Sequence, residues 1–543
     1  MQYFDISRTV RTFRCHFGGE QADVLEELLL SVRRCLERTM PREVSRRIDR
    51  EGSTLARGDD GALAVQRHPD LEAARRELAA MGLFSIFLPE EEGGFGLPLC
   101  VYYLVVQLVS YHDTSLALVF LVHGNAMYAI RRYGTDEQRA RYLPALATGE
   151  QLATVSFTEP TAGSDPGSIR TRATRDGDAW VLSGEKLFIT HGGDADLLIT
   201  TARTGPPELG IDGVSTFILL REPDGVEVLG LEDKTGLAGS PTAALGYPDL
   251  RIPADRMLGS EGRGGAVMFA GVGMTRVNIG AQALGIARRA FDAAADFAQE
   301  RQQGGAAIVE HDAIQQRLAH MALIISAMEN LICHDSWLEH RGDWHVREMS
   351  VTKYYASEAL QELTQRAINV FGGYGVCKEY EVERCRREAV ALPLYGGTSE
   401  IQWYIIAREL LDSLAGQGHA DYRARDAARQ AELTRRCAGD ATLEDLASRV
   451  GRAQEQLWQA VELVITMDDA EPYHRHLADL DTALAVARVL LWQASEADTG
   501  ELERHLAAWS ADLLEDRAAI SCQRIVQRQG RAEAKAAVHR LVT

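Results

Sequence analysis

The run WVLSGEKLFIT, Trp180–Thr190, decides the fold class, because it has the composition of a β-strand in a chain that is otherwise patterned as helices. A second run of this kind, STFILL, Ser215–Leu220, follows it. The pair Asp176-Gly177 just ahead of the first run is a hairpin-turn signal. We therefore predict an antiparallel β-domain over residues 152–260.

Helical patterns flank this β-domain on both sides. On the N-terminal side, apolar residues recur at spacings of three and four at Val24, Leu28, Val32 and Cys35. Predicted helices over 42–50 and 71–81 end at Gly52 and Gly82. On the C-terminal side, helical periodicity covers 275–301 and 306–339.

The segregation of strands from helices predicts an α+β multidomain protein and excludes a doubly wound sheet. The last part of the chain carries three amphipathic stripes, which begin at Leu446, Leu477 and Leu502 and predict a bundle that packs on itself or on the main body. The predicted parts are an N-terminal extension (1–20), an N-terminal helical domain (21–151), the β-domain (152–260), a C-terminal four-helix-bundle domain (261–412) and an additional helical domain (421–543).

Composition narrows the function classes. The formal net charge of −20 argues against a nucleic-acid partner, which needs a basic face. The eight cysteines are scattered, without a CxxC pair or zinc-type spacing, so we expect no metal site and a reducing, cytoplasmic location. The first twenty residues lack the apolar core of a secretory signal, and no apolar run reaches the roughly 18–20 residues of a membrane span.

Four stretches combine glycines, hydroxyls and aromatic rings in a way that suits a bound heterocycle or phosphate. They are FTEPTAGSD (157–165), KLFITHGG (186–193), AINVFGGYG (367–375) and LYGGTSEIQ (394–402). Each stretch alone also fits an ordinary connector, core strand, helix–helix turn or helix cap. Their order and spacing together favour a single site.

Taken in order, these stretches resemble the acyl-CoA dehydrogenase family, and the resemblance runs from about residue 21 to 412. FTEPTAGSD is similar to the family's TEPxAGSD, and KLFITHGG to its WITNGG, with Phe188 for tryptophan and His191 for asparagine. The segments 82–96 and 300–321, and the stretch from 367 to 402 without a gap, also resemble family motifs, with Gly304 and Asn369 replacing the usual phenylalanine and glutamine.

This resemblance implies FAD as cofactor and an acyl-CoA or acyl-carrier thioester as substrate. It places Phe188 over one face of the flavin and Arg301 at the pyrophosphate of a neighbouring subunit, hence a homodimer or homotetramer. The implied cofactor residues are Phe157, Thr158, Gly163, Ser164, Phe188, Thr190, Arg301, Asn369, Gly372, Gly373, Thr398 and Glu400. The implied substrate residues are Ser164, Arg276, Tyr395 and Gly397. The additional helical domain resembles that of the very-long-chain type.

The catalytic base of the family is missing at both positions where members keep it. The usual glutamate follows the tyrosine of YEGT, and Gly396 stands there after Tyr395. Some members keep the glutamate before an arginine on an earlier helix, and Thr275 stands there before Arg276. A positioned base typically contributes a factor of about 10²–10⁴.

Three explanations stay open. Another residue serves as base, with Asp113, His112, His123, Glu159 and Tyr395 as candidates. Alternatively the reaction does not begin with α-proton removal, as in the flavin monooxygenases and desulfinases of this fold, and Gly396 enlarges the pocket. Or the chain binds FAD and thioester without dehydrogenating. We expect α,β-dehydrogenation, with electrons leaving to electron-transfer flavoprotein.

Overall fold

The helices and strands are those of a computed structural model that describes residues 6–17, 19–58, 61–342, 346–417, 421–467, 470–496 and 501–528. The N-terminal helices are α1 (Ile6–Phe17), α2 (Gly19–Thr39), α3 (Arg42–Glu51), α4 (Pro69–Ala80), α5 (Leu99–His112), α6 (Thr114–Tyr133) and α7 (Asp136–Ala147). The predicted stop of α3 at Gly52 is confirmed: this glycine has φ 67°, and its N–H donates to Ile48 O.

A hairpin of two strands interrupts this helical region, where only helices were predicted. Its strands are β1 (Thr54–Arg57) and β2 (Leu63–Gln66), which pair antiparallel. Each strand has four residues, which is too short for a two-residue period to stand out from the helical pattern around it.

The β-domain is one sheet with a short helix, α8 (Arg221–Asp224), beside it. Its strands are β3 (Ala153–Ser156), β4 (Arg172–Asp176), β5 (Ala179–Thr190), β6 (Leu197–Arg203), β7 (Val214–Leu220), β8 (Glu227–Leu231), β9 (Thr242–Pro253) and β10 (Met257–Leu258). The order is β10-β7-β6-β4-β5-β9-β8, with β3 also on β6. Leu182, Phe217 and Leu245 are among its fully buried core residues.

The prediction of an antiparallel sheet needs a correction, because β3 runs parallel to β6. Ala153 lies opposite Leu197, and Ser156 opposite Thr200. A parallel pair requires a long crossover connection, here the whole of β4 and β5, and the pattern within a strand does not reveal its partner. The sheet is therefore mixed.

The remaining elements are mostly long helices. They are α9 (Gly264–Glu300), β11 (Gln302–Gln303), β12 (Ala306–Ala307), α10 (Asp312–His340), α11 (Val346–Phe371), α12 (Glu381–Ala389), α13 (Ser399–Leu414), α14 (Tyr422–Cys437), α15 (Ala441–Ile465), α16 (His474–Ala494) and α17 (Glu501–Arg528). The helix predicted from 306 begins only at Asp312, after the small β11–β12 turn.

The chain divides into two compact units that do not follow the predicted bounds. The first unit contains Asp23–Gln315 and Leu360–Gly396, and the second contains Gln316–Ala359 and the chain from Gly397 onward. The region 261–412 therefore contributes to both units. In the second unit, residues of α10, α11 and α13 share one apolar core with α14–α17, including Leu323, Val351, Ile406, Leu446, Leu484 and Leu506.

Within the described ranges, no helix combines the length and hydropathy needed to cross a bilayer.

Candidate active site

Two of the predicted motifs meet at one edge of the β-domain. The loop after β3 and the end of β5 are joined by a hydrogen bond from Leu187 N to Thr158 O, 2.9 Å long. The Thr154 hydroxyl donates to Thr190 O at 2.6 Å. The structure therefore brings the segment of Phe157 and Thr158 close to that of Phe188 and Thr190.

A β-bulge presents Phe188 outward. The register of β5 against β9 shifts between Lys186 and Ile189, and Phe188 has φ 56°, a conformation that is strained for a bulky side chain. Its ring is 58% exposed, Ile189 next to it is buried, and Thr190 is half-buried. A strained, exposed aromatic residue at a bulge is typical of a surface that a ligand covers.

The backbone continues in a left-handed turn at His191, φ 56°. Asparagine and histidine tolerate this conformation better than most residues, which explains why the histidine replaces the family's asparagine here. The His191 ring lies 3.1 Å (Nδ1) from Asp194 Oδ2, and its backbone N–H donates to Pro241 O. This residue therefore fixes the turn that follows Thr190.

The tip of the loop after β3 is open. Gly163 and Ser164 are exposed, and a Cβ added at Gly163 would meet nothing within 4 Å. The Asp165 side chain accepts hydrogen bonds from Gly167 N, at 3.0 Å, and from the Ser168 hydroxyl, so the loop is held from its far side. A ligand therefore has room to approach the backbone at Gly163.

Glu159 supports this loop from inside. Its carboxylate accepts hydrogen bonds from Arg170 N at 2.6 Å and Thr171 N at 3.1 Å, and it lies 2.7 Å from Lys186 Nζ. Burial lowers the pKa of Lys186 to about 8, while the charge of Glu159 opposes that shift. Because these partners already bind the Glu159 carboxylate, Glu159 is not a candidate for the catalytic base.

A second cluster lies at the end of α11 and after α9. Gly372 has φ 60° and is followed by Gly373, and a Cβ added at either would meet nothing within 4 Å. The Arg301 guanidinium lies 5.4 Å from the centre of the Tyr374 ring. Asn369 is exposed and its Oδ1 accepts a hydrogen bond from Gln365 at 3.1 Å. Of the four predicted residues, Asn369, Gly372 and Gly373 are exposed, and Arg301 is half-buried.

In the second unit, the predicted cofactor residues mark the start of α13. The Thr398 side chain accepts a hydrogen bond from Ile401 N at 3.4 Å, and Glu400 is exposed in the first turn. Gly397 has φ 88°, and Gln402 Nε2 donates to its carbonyl at 3.0 Å. The start of a helix favours a negatively charged group.

The position of the missing glutamate is filled by an isoleucine. Gly396 has φ 68°, and a Cβ added there would lie 2.3 Å from Ile279 Cδ1 and 3.1 Å from Thr275 Cγ2. The expectation that Gly396 enlarges the pocket is therefore wrong, because the Ile279 side chain occupies the space that the glycine leaves.

The alternative position of the base is equally without a carboxylate. Thr275 is buried on α9, and Asn125 Nδ2 donates to its hydroxyl at 2.7 Å. Arg276 next to it is also buried. One turn beyond Ile279, Gln282 Oε1 accepts the Tyr395 hydroxyl at 2.8 Å. Burial raises the pKa of Tyr395 well above its usual range, so this phenol does not act as a base near neutral pH.

The prediction that Asp113 is a substitute base is corrected: its side chain caps a helix instead. Its carboxylate accepts hydrogen bonds from Leu116 N at 2.9 Å, from Arg384 Nη2 at 3.0 Å and from the Ser45 hydroxyl. His123 is equally engaged, between Ala153 N and Leu146 O, and burial lowers its pKa to about 4. Burial has the same effect on the pKa of His112.

Family models match three consecutive parts of the chain. The N-terminal, middle and C-terminal domains of acyl-CoA dehydrogenase match residues 25–150, 154–249 and 262–411. The chain belongs to the acyl-CoA dehydrogenase family.

Named relatives agree with this assignment. An acyl-CoA dehydrogenase of Bacillus subtilis is 38% identical over 337 residues, which cover 62% of this chain and 89% of the relative. An acryloyl-CoA reductase (NADH) of Anaerotignum propionicum is 37% identical over 62% of this chain and 86% of its own length. A Bacillus anthracis acyl-CoA dehydrogenase structure, 24% identical, covers 92% of this chain and 88% of its own with a TM-score of 0.79, so the fold it shares includes most of the C-terminal helices.

FAD is the cofactor of this acyl-CoA dehydrogenase family member, and the residues present fit it. The exposed Phe188 ring offers a stacking surface, and the open glycines at 163, 372 and 373 leave room for a ligand against the backbone. Across the described residues, no group of three His, Cys, Asp or Glu side chains is placed to hold a metal ion.

Sequence reasoning missed the residues that surround Gly396, namely Ile279, Gln282 and Asn125. For Ile279 a signal existed, because it follows Thr275 by four residues and so lies on the same face of a helix. No comparable signal connects Asn125 to Thr275 across 150 residues.

Proposed function

We propose that this protein is an FAD-dependent oxidoreductase that acts on the Cα–Cβ bond of an acyl thioester, without a side-chain carboxylate at the α-carbon. The proposal is supported by the exposed Phe188 ring close to Thr190, together with the Ile279 side chain that lies against Gly396. FAD supplies a hydride acceptor when it is bound.

The residues of the chain have distinct parts in this reaction. Phe188 covers the flavin, and Thr158 and Thr190 supply the hydroxyls at its edge. Ser164 lies at the exposed tip of the loop, where the thioester and its pantetheine arm reach the site. Ile279 and Thr275 border the α-carbon, so the α-proton leaves to water or to a group of the substrate and not to a carboxylate.

A site without a carboxylate selects for its substrate. Ordinary saturated acyl thioesters have weakly acidic α-protons, and their oxidation loses the factor of about 10²–10⁴ that a base contributes. A thioester with an α-substituent that acidifies this proton loses less. We therefore propose that such activated thioesters, on CoA or on a carrier protein, are preferred to straight-chain ones.

Anaerobic product analysis tests this function. The FAD-loaded protein would be mixed without oxygen with butyryl-CoA and with an α-aryl propionyl-CoA, and products would be identified by mass spectrometry. We expect slow loss of two hydrogens from butyryl-CoA and faster loss from the activated substrate. Equal and rapid oxidation of both would contradict the proposal.

The rival functions give other outcomes of the same experiment. Product formation only after oxygen is admitted would indicate a monooxygenase. A sulfinate-substituted acyl-CoA, added as a third substrate, would release sulfite if the protein were a desulfinase. Binding without any product would indicate a thioester-binding protein. In each case the flavin absorbance reports cofactor binding independently.

Two partners complete the proposal. We propose a homo-oligomer, since Tyr374, Val376 and Leu394 are exposed large apolar side chains, with Val376 71% exposed. Light scattering of the FAD-loaded protein tests this: a dimer or tetramer is expected.

We propose electron-transfer flavoprotein as acceptor, which is tested by its reduction in a coupled assay with the activated substrate.

A further inference from the structure

A cavity lies among α10, α11, α14 and α16 of the second unit, apart from any residue assigned above. Its volume is about 60 Å³. One water needs roughly 10–15 Å³ on this measure, so the cavity has room for about five heavy atoms. Its walls combine apolar and charged side chains: Leu331, His334, Asp335, Arg347, Glu348, Val351, Arg429, Leu433, Asp481, Ala485, Arg488, Val489 and Trp492.

The three arginines of the wall already face carboxylates. Arg347 binds both Asp481 and Asp426, with Nε 2.8 Å from an Asp481 oxygen. Arg488 lies 3.1 Å from Asp426, and Arg429 lies 2.9 Å from Glu348. An added anion would have to displace one of these carboxylates, so the arginines do not make an anion site.

The carboxylates at the α10 end are not matched in this way. Asp335 is only 6% exposed, its Oδ2 makes no hydrogen bond, and it forms no ion pair with any residue of the described ranges. Glu348 Oε2 is buried without a hydrogen bond as well. Arg429 is paired with Glu348 and also lowers the pKa of Asp335, so these two carboxylates share one basic partner and one negative charge is left at the α10 end of the cavity.

Desolvation makes this arrangement costly for the protein alone. Burial, with a smaller contribution from the charge of Glu348, raises the pKa of Asp335 to about 7, while the Thr352 hydroxyl and Arg429 oppose the shift. Glu339, one turn along α10, has a pKa raised well above its usual range by burial and by Asp335. A cation in the cavity would offset this cost.

We propose that the cavity binds a small aliphatic ammonium ion, with its nitrogen at Asp335 and Glu348 and its carbon chain against Leu331, Val351 and Val489. An ammonium group supplies three donors, which suits two carboxylate oxygens that lack hydrogen bonds. A four-carbon chain fills the remaining volume. This site is independent of the flavin and of the thioester reaction.

The proposal predicts a specific dependence on pH, because a proton on Asp335 competes with the ammonium ion. Binding should be about tenfold weaker at pH 6 than at pH 8. The other charged or titratable groups that face Asp335 are His334 and Glu339 on α10, Arg347 and Glu348 on α11, Arg429 on α14, and Asp481 and Arg488 on α16. If binding to Asp335→Asn no longer depends on pH, the group responsible for the pH dependence is Asp335 and not His334.

Saturation-transfer NMR with n-butylammonium chloride as the probe tests the site on the full, FAD-loaded protein. Sodium butyrate and n-butanol serve as anionic and neutral probes of the same size. Asp445→Asn, on the exposed face of α15, is the matched control, since it removes the same charge outside the cavity. We expect butylammonium signals with the wild type and with Asp445→Asn, and a loss of at least tenfold in affinity with Asp335→Asn.

Three results would overturn the proposal: no butylammonium signal with the wild type, equal affinity with Asp335→Asn, or stronger signals from butyrate. Asp335→Asn keeps the shape of the side chain, and its folding is checked by circular dichroism. If it did not fold, Glu348→Gln and the pH dependence of the wild type would decide the question. Affinity that did not change between pH 6 and pH 8 would then count against the site.

Discussion

At the scale of single residues, two residues and not one distinguish the position where the family's catalytic glutamate is missing. Gly396 removes the carboxylate, and Ile279 fills the space against it, with a Cδ1 only 2.3 Å from where a Cβ would be. A glutamate restored at Gly396 would clash with Ile279 and would also occupy a left-handed backbone position, φ 68°. A glutamate at Gly396 therefore requires the Ile279 side chain to move or to be shortened.

Thr275 offers a simpler position for a carboxylate, because it lies on a helix and contacts the same space. We expect Thr275→Glu to oxidise butyryl-CoA about 10²–10⁴ times faster than Thr275→Gln, which has the same shape without the charge. The rate of flavin reduction measured anaerobically checks this. The gain should increase with pH as the buried glutamate ionises; a Gln variant as fast as the Glu variant would show that the charge is irrelevant.

Asp335 makes the stability of the chain depend on pH. Its pKa is about 7 in the folded protein against an ordinary value of 3.8, so the folded state keeps a proton that the unfolded chain releases. The resulting stabilisation is full below about pH 4 and is lost as pH rises through 7. At about 1.4 kcal/mol per pH unit, up to about 4 kcal/mol is involved. The thermal unfolding temperature of Asp335→Asn should change less with pH over this range than that of Asp445→Asn. An equal change in both variants would contradict the prediction.

At the scale of elements, the end of β5 shows how backbone strain serves a site. Phe188 and His191 both have φ 56°, and they bracket the buried Ile189 and the half-buried Thr190. The alternation of β5 was legible in the sequence, but the bulge was not. A bulge is set by pairing with β9, and the identity of the pairing strand is not encoded locally.

Phe188 should contribute to cofactor affinity without supporting the fold. We expect Phe188→Ala to weaken FAD binding about tenfold, since an aromatic stacking contact contributes roughly 0.5–1.5 kcal/mol beyond its buried area. Leu229→Ala on β8 is the control, because Leu229 is an exposed apolar residue of the same sheet, 45% exposed. Fluorescence titration of the apoprotein with FAD measures the affinity of both variants. Equal affinities would show that Phe188 does not contribute to FAD binding.

The helix stop at Gly52 and the β-domain could be predicted from the sequence, because a glycine stop and the alternation of a strand are local signals. The β1–β2 hairpin was missed because four residues carry too little periodicity. The parallel pairing of β3 with β6 and the filling of the base position by Ile279 depend on contacts between distant segments. The engagement of Asp113 by Arg384, 271 residues away, is of the same kind.

At the scale of the whole molecule, the C-terminal helices are part of a common core and not an appendage. Within the second unit, Val351 and Ile406 are buried together with Leu446 and Leu484 of α15 and α16. This explains why the division into two compact units does not fall at the predicted domain boundary at residue 412. The additional helices cover apolar surface that α10, α11 and α13 would otherwise expose.

A shortened chain that ends at Gln417 should therefore fold poorly. We expect it to bind a hydrophobic dye, to aggregate and to lack a cooperative thermal transition, because the core residues of α10, α11 and α13 lose the apolar partners that α14–α17 supply. Co-expression of residues 421–543 as a separate chain is the control, and it should restore a soluble complex. A shortened chain that alone unfolds cooperatively at the temperature of the full chain would contradict the shared core.

The central claim is that the flavin edge is intact and only the base is absent, with Ile279 in its place. The most direct test is the rate of anaerobic flavin reduction by butyryl-CoA in Gly396→Glu/Ile279→Ala, compared with the wild type and with Gly396→Ala/Ile279→Ala, which carries the same backbone strain without a carboxylate. The account predicts slow reduction in the wild type and in the alanine pair, and a rate about 10²–10⁴ times higher with the glutamate. Rapid reduction by the wild type, or no difference between the two double variants, would contradict it.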